Sequence, residues 1–157
     1  MEKYDIRFKI ENFDFHSRAS VIIYNKEKNK ILLFKVEDGR NFYLLPGGKI
    51  QLGEDSLSAI KREVNEEIGY NLDYCFCSIN ENFIKLNEKD IMQYEFLYKA
   101  IYNQVIEKEV FECKDREGQS FHWVDISKIN EIDIRPNNIK EIIKNDDNIN
   151  IHNIYKD

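Results

Sequence analysis

The stretch that decides the reading is residues 45–70, LPGGKIQLGEDSLSAIKREVNEEIGY. The 157-residue chain has only six glycines and two prolines, yet Gly47, Gly48, Gly53, Gly69 and Pro46 all fall inside these 26 positions. A composition this poor in glycine places it where backbone torsion or close approach demands it. The stretch therefore predicts a tight loop after Pro46, a helix over 56–68, and a stop at Gly69 in the left-handed conformation. Asp55 is the expected N-cap. Steps of 100° per residue put Leu57, Ile60, Val64 and Ile68 within an arc of roughly 80°, the stripe expected to be buried. Glu63, Glu66 and Glu67 fall in an adjacent arc of roughly 100°, and Ala59, one turn earlier, leaves space beside them.

Three carboxylates on one arc repel one another unless a cation lies between them or they fan out into water. Hard cations such as Mg²⁺ take carboxylate and carbonyl oxygens and bridge to phosphates. Pro46-Gly47-Gly48 offers backbone carbonyls at the end of a strand that feeds into the helix. Arg62 and Glu54 are placed to hold the acids through charge-assisted hydrogen bonds.

Outside this stretch, alternating apolar positions predict strands around Ile6–Ile10, Ser20–Tyr24, Ile31–Lys35 and Phe42–Leu45, with a hairpin turn over Asn25–Asn29. Leu72–Cys77, Ile79–Lys85, Ile91–Tyr102 and Phe121–Val124 also read as strands, and a helix is expected over Asn138–Lys144, after Pro136. Residues 148–157 alternate Asn with Ile as an edge strand or flexible tail would. The sum is an α+β sandwich, a mixed sheet flanked by a few helices, in one domain spanning 1–157.

The net charge of −6 argues against a large nucleic-acid footprint, which needs clustered Lys and Arg. The apolar runs Val21–Tyr24 and Ile31–Phe34 are far short of the ~20 residues that span a bilayer. The first ten residues carry no signal-peptide core, so a cytoplasmic protein without membrane partners is expected. Three cysteines read as reduced thiols, with Cys75 and Cys77 sharing one strand face.

Gly48, Glu54 and the run Arg62-Glu63-Val64-Asn65-Glu66-Glu67-Ile68-Gly69, at this spacing, resemble the signature of the Nudix hydrolase family, its MutT-like branch in particular. Tyr70 departs from it, standing where the family usually has an aliphatic residue. The resemblance implies a Nudix-like α/β/α sandwich with a loop–helix–loop motif. It also implies hydrolysis of a nucleoside diphosphate linked to another group, with Mg²⁺, or Mn²⁺ in its place, and an attacking water. By that similarity Glu63, Glu66, Glu67 and the Gly47 carbonyl would hold metal, Glu63 would act as general base, and Arg62 with Glu54 would support it. Glu117, six residues before Trp123, resembles the loop that supplies one more acidic ligand, and Lys49 the residue that touches a phosphate. Asn138, in Pro136-Asn137-Asn138, resembles the segment that reads a purine edge, although an N-cap role, with Asn abundant throughout the chain, is the stronger reading of it.

The marks of Nudix subfamilies for ADP-ribose, dinucleoside polyphosphates, coenzyme A and NADH are missing. By elimination a (d)NTP pyrophosphohydrolase releasing a monophosphate and pyrophosphate leads. Its partner is a small nucleotide, and a homodimer is compatible with the sequence. The alternatives are a nucleotide-binding regulatory module without turnover and an RNA 5′-end pyrophosphohydrolase.

Overall fold

The computed structural model describes residues 3–145 and 150–157. In chain order the elements are β1 (Arg7–Ile10), β2 (Phe13–Asn25), β3 (Lys30–Val36), β4 (Tyr43–Leu44), β5 (Gly47–Lys49), α1 (Ser56–Glu67), β6 (Cys75–Leu86), β7 (Lys89–Tyr102), β8 (Val110–Glu112), β9 (Gln119–Asp125), a 3₁₀ helix (Ile126–Glu131), α2 (Ile139–Lys144) and β10 (His152–Lys156). One mixed sheet runs β10-β6-β7-β2-β3-β9-β8, with β1 and β5 also paired to β2, and β4 to β3. Among the described residues no helix is long and apolar enough to cross a membrane.

Strand β2 is the organiser. It pairs in parallel with β7 along its whole length, Phe13 with Asp90 through Asn25 with Tyr102. Its alternation divides the core in two. Ala19, Val21 and Ile23 face α1, where they meet Ile60, Val64, Phe121 and Trp123. Ile22 and Tyr24 face the other way, onto Ile129, Ile139 and Ile142 of the 3₁₀ helix and α2. Period-2 alternation on a strand buried on both sides produces this sandwich of helix, sheet and helix.

The local signals act as read. The Asp55 carboxylate caps α1 by accepting from the Ser58 amide at 2.8 Å. Gly69, at φ +79°, ends it, its amide donating to the Val64 carbonyl at 2.9 Å. Asn25 builds the hairpin turn, its Oδ1 accepting from the Asn29 and Lys30 amides. Tyr70 finds aromatic company, stacked on Tyr102 with ring centroids 4.2 Å apart.

Other expectations are corrected. Gly47–Lys49 is a short strand on β2 rather than a loop. Leu72–Tyr74 lies outside the strand that begins at Cys75, and β8 carries too little alternation to be foreseen. A bulge between Phe76 and Ser78 breaks the alternation of β6, so Cys75 is exposed while Cys77 packs on the α2 side. Of the expected stripe, Ile60, Val64 and Ile68 are buried but Leu57 is 37% exposed, and the buried face of α1 extends to Ala59, Glu63 and Glu67. Of the 148–157 tail, β10 forms an edge strand parallel to β6, and residues 148–149 lie outside the described residues.

The β2–β5 pairing demands glycine at 47. A Cβ there would lie 2.1 Å from the Ala19 carbonyl oxygen and 2.9 Å from the Ser20 Cα, at a φ of +148°. Gly47→Ala is expected to cost about 2–4 kcal/mol of stability. A urea midpoint unchanged from that of the parent chain contradicts this close approach.

Candidate active site

The acids of α1 are sorted by what lies beneath them. Glu63 and Glu67 are buried, whereas the Glu66 side chain is 47% exposed. Glu63 lies against β5. A Cβ on Gly48 would come within 2.3 Å of its carboxyl carbon. Glycine at 48 is thus the space that the Glu63 carboxylate occupies.

Arg62 fixes this arrangement. Its Nε and Nη2 donate to the two oxygens of Glu54 at 2.9 and 3.0 Å, its Nη1 to Glu63 at 2.9 Å and, more loosely, to Glu66 at 3.4 Å. Nη2 also reaches the Lys49 carbonyl at 3.2 Å. Burial works against the guanidinium charge, but the bonds to Glu54 and Glu63 outweigh it and raise its pKa above the ordinary value. Only the planar fork of arginine serves this many acceptors at once.

The sheet aims the glycine carbonyls. The Val21 amide donates to Pro46 and the Ile50 amide to Ser17, so 21/46 and 17/50 are hydrogen-bonded pairs. Alternation makes Ser20–Gly47 and Arg18–Lys49 non-bonded pairs. The Gly47 and Lys49 carbonyls therefore turn to the far edge of β5, where Arg62 takes that of Lys49. The Gly47 oxygen projects at the same edge.

Burial, and then the charge of Glu63, push the Glu67 carboxyl up to about 8, with a hydrogen bond to Glu63 adding to this and Arg18 opposing it. Two buried carboxylates side by side repel each other, and a hard cation between them relieves that repulsion. Among the described residues no three His, Cys, Asp or Glu side chains form a ready metal cluster, consistent with Glu66 pointing outward. The loop between β8 and β9 adds an acid that the sequence reading missed. Asp115 contributes to raising Glu67, and the Lys114 amide binds the Glu67 carbonyl at 2.9 Å. Glu117 sits exposed in the same loop.

The even-numbered side of β2 carries a second polar layer. Arg18 donates to the Ser20 hydroxyl at 2.9 Å and to the Leu45 carbonyl at 2.8 Å, and Ser20 donates to Glu95 at 2.7 Å. Glu95, 2% exposed, also accepts from Asn80 at 3.1 Å. Arg18 thereby ties this layer to the Pro46 loop. The signal available in the sequence was an arginine set just before an apolar run. Lys49 lies beside Arg18 in register, its pKa lowered by burial and then by Arg7 and Arg18. Asn138 makes no cap hydrogen bond, and its Oδ1 is buried without a partner among the described residues.

The NUDIX domain family model matches residues 14–145. The chain belongs to the Nudix family. It is 30% identical over 132 residues to an 8-oxo-dGTP diphosphatase of Escherichia coli, covering 81% of this chain and 94% of that protein. It is 29% identical to an RNA pyrophosphohydrolase of Pelagibacter ubique, but over 56 residues, 36% of this chain. Among solved structures, the mutator MutT protein of Bacillus halodurans superposes with a TM-score of 0.63 at 22% identity, over 89% of this chain and 86% of that one. The dihydroneopterin triphosphate pyrophosphohydrolase of E. coli gives 0.65 at 17%, over 82% and 92%. This Nudix chain is thus a MutT-like enzyme of the pyrophosphohydrolase class, acting on nucleoside diphosphate linkages.

Two outcomes follow from the geometry. Gly48→Ala meets only the end of the Glu63 side chain, so it should fold as the parent chain does but lose turnover by at least tenfold, a barrier rise of about 1.4 kcal/mol or more. Retained turnover contradicts the placement of Glu63. His16, bonded to Gln93 at 2.8 Å, has its pKa pulled down to about 4, first by burial and then by Lys49 and Arg18. Its contribution is complete above the unfolded value near 6.5 and is lost as pH falls from there toward 4. His16→Gln should therefore reduce the acid-side loss by of order 1–2 kcal/mol. Parallel urea titrations at pH 7.5 and 4.5 measure it, and identical losses in both proteins contradict it.

Proposed function

We propose that this Nudix chain, as one domain over 1–157, is a Mg²⁺-dependent (d)NTP pyrophosphohydrolase that releases a nucleoside monophosphate and pyrophosphate. The observation that carries the reading is the buried Glu63–Glu67 pair, of which Glu63 is set against Gly48 and clamped by Arg62. Such a pair is costly without a cation, and its oxygens suit Mg²⁺ or Mn²⁺. Glu63, Glu67, Glu66 and the Gly47 carbonyl are the proposed ligands. The cation, when bound, neutralises the phosphates and lowers the pKa of the attacking water.

The chain's residues do the rest. Glu63 takes the proton of the water whose oxygen attacks phosphorus, while the anhydride P–O bond between the monophosphate and pyrophosphate portions breaks and the departing portion keeps the electron pair. Arg62 and Glu54 hold Glu63 in place for that transfer, so Arg62 and Glu54 are positioning residues. Lys49 is proposed to meet a phosphate, and Asn138 to meet the base. The 8-oxo-dGTP diphosphatase relative and its coverage support a nucleoside triphosphate as substrate.

Incubation with the common nucleoside triphosphates and Mg²⁺ should yield monophosphate and pyrophosphate. Release of orthophosphate, or full turnover in excess chelator, overturns the reading, and faster turnover of 5′-triphosphorylated RNA moves the substrate to that class. Mg²⁺ should raise the melting temperature saturably. Glu67→Gln should weaken that gain and slow turnover, yet leave the metal-free protein at least as stable as the parent chain. A loss of about a kilocalorie per mole or more in metal-free Glu67→Gln makes the acid structural.

The loop acid is ranked by substitution. Glu117→Gln should slow turnover by ten- to a thousandfold, about 1.4–4 kcal/mol of barrier. A larger loss in Asp115→Asn transfers the role to the acid whose field already reaches Glu67.

A further inference from the structure

The paired strands β2, β6 and β7 extend past the part of the sheet that α1 covers, and there the two faces reverse their usual roles. Side chains alternate, so residues 13, 15 and 17 of β2 share the face of Ala19, Val21 and Ile23, on which α1 packs, and 14, 16 and 18 share the other. The second face is the polar one, yet it is buried: Asn80, Asn82, Gln93 and Glu95 are out of water. The first face is apolar, yet it is open.

Strand register aligns this open face in rows. One row reads Lys156 on β10, Phe83 on β6, Met92 on β7, Phe15 on β2 and Phe8 on β1. Ile154 and Tyr94 flank it on the α1 side, and Phe13 and Ile10 on the other. The rings touch. Phe8 stacks on Phe15 with centroids 5.0 Å apart, and Phe15 meets Tyr94 edge-on at 5.2 Å. Phe8, Ile10, Phe13, Tyr94 and Ile154 are nonetheless between 36% and 63% exposed. For side chains of this size that leaves roughly 500 Å² of apolar surface in water, a patch large enough to mark an interaction site.

We infer that a second copy of the chain docks on this face, making a homodimer that packs sheet against sheet. Each side of a standard interface buries about 800 Å², somewhat over half of it apolar, which is what this patch supplies. Charge selects the partner. The chain carries a net −6, but the charges on this face are matched in place, Glu81 bonded to His152 at 2.6 Å and Lys85 opposite Asp90. Two copies therefore meet here with their acidic surplus turned away. The row is also self-complementary. A two-fold axis along β7 turns it end for end and lays Lys156 of one copy against the Phe8 ring of the other. Pairing edge to edge is opposed by Arg7 and Lys9 on β1, charges of the kind that guard a sheet edge.

Sedimentation velocity of the full chain, from about 1 to 100 µM, tests this. The parent chain should sediment as a dimer at the upper concentrations. Phe8→Glu and Ile154→Glu, at opposite ends of the face, should each raise the dissociation constant at least tenfold. Their far-ultraviolet circular dichroism should match the parent's, because both side chains are exposed. Val105→Glu, an exposed apolar residue outside these strands, should leave the dimer intact. A parent chain that stays monomeric at the highest concentration overturns the inference. So does a dimer that survives both substitutions, which puts the contact on another surface, or one that Val105→Glu weakens as much, which makes the effect general repulsion. Loss of the folded signal in both face variants also overturns it, since the face then serves the monomer's own stability.

Discussion

The Arg62 guanidinium holds acceptors from three places at once: Glu54 before the helix, Glu63 and Glu66 on it, and the Lys49 carbonyl on β5. Its side chain is 17% exposed, and those of Glu54 and Glu63 are 15% and 11%, so these charges are largely out of water and dear to leave unpaired. The fork closes the connection between β5 and α1 into a ring, and the ring presses Glu63 onto Gly48. The glycine, the acid and the arginine are therefore one constraint. A side chain at 48 moves the carboxylate, and a lysine at 62 cannot reach Glu54 and Glu63 with comparable geometry.

That ring is useful because β2 gives it a rigid floor. The strand is paired in parallel to β7 on one side and to β1, β5 and β3 on the other. Its odd residues support the acids of α1, and its even residues, Arg18 and Ser20, reach the layer that holds Glu95. Arg18 also binds the Leu45 carbonyl, next to the glycine pair.

Burial decides how the acids differ. Glu54, Glu63, Glu66 and Glu67 have the same side chain, but Glu54 and Glu63 are paired with Arg62, Glu66 is open to water, and Glu67 is buried beside another acid. Environment assigns distinct roles to like groups in this way.

The sequence by itself determined several features that depend on neighbours close along the chain. Asp55 as cap, Gly69 as stop and the arc of acids follow from the helical period, and the Arg62–Glu54 pair from a separation of eight residues across the start of the helix. The signature around them carried the family. The tertiary structure decided what rests on pairing across the chain. The turn of 47–49 into a strand needs β2, and the inward roll of Ala59, Glu63 and Glu67 in place of Leu57 needs the sheet beneath α1. Asp115 meets Glu67 because β8 and β9 bring the loop there, although Glu117 carried the recognisable spacing. The bond from Ser20 to Glu95 spans 75 residues, and that from Asn153 to Asn80 spans 73. No local period encodes such partners, because strand register is set by the burial of whole faces rather than by the residues that happen to touch.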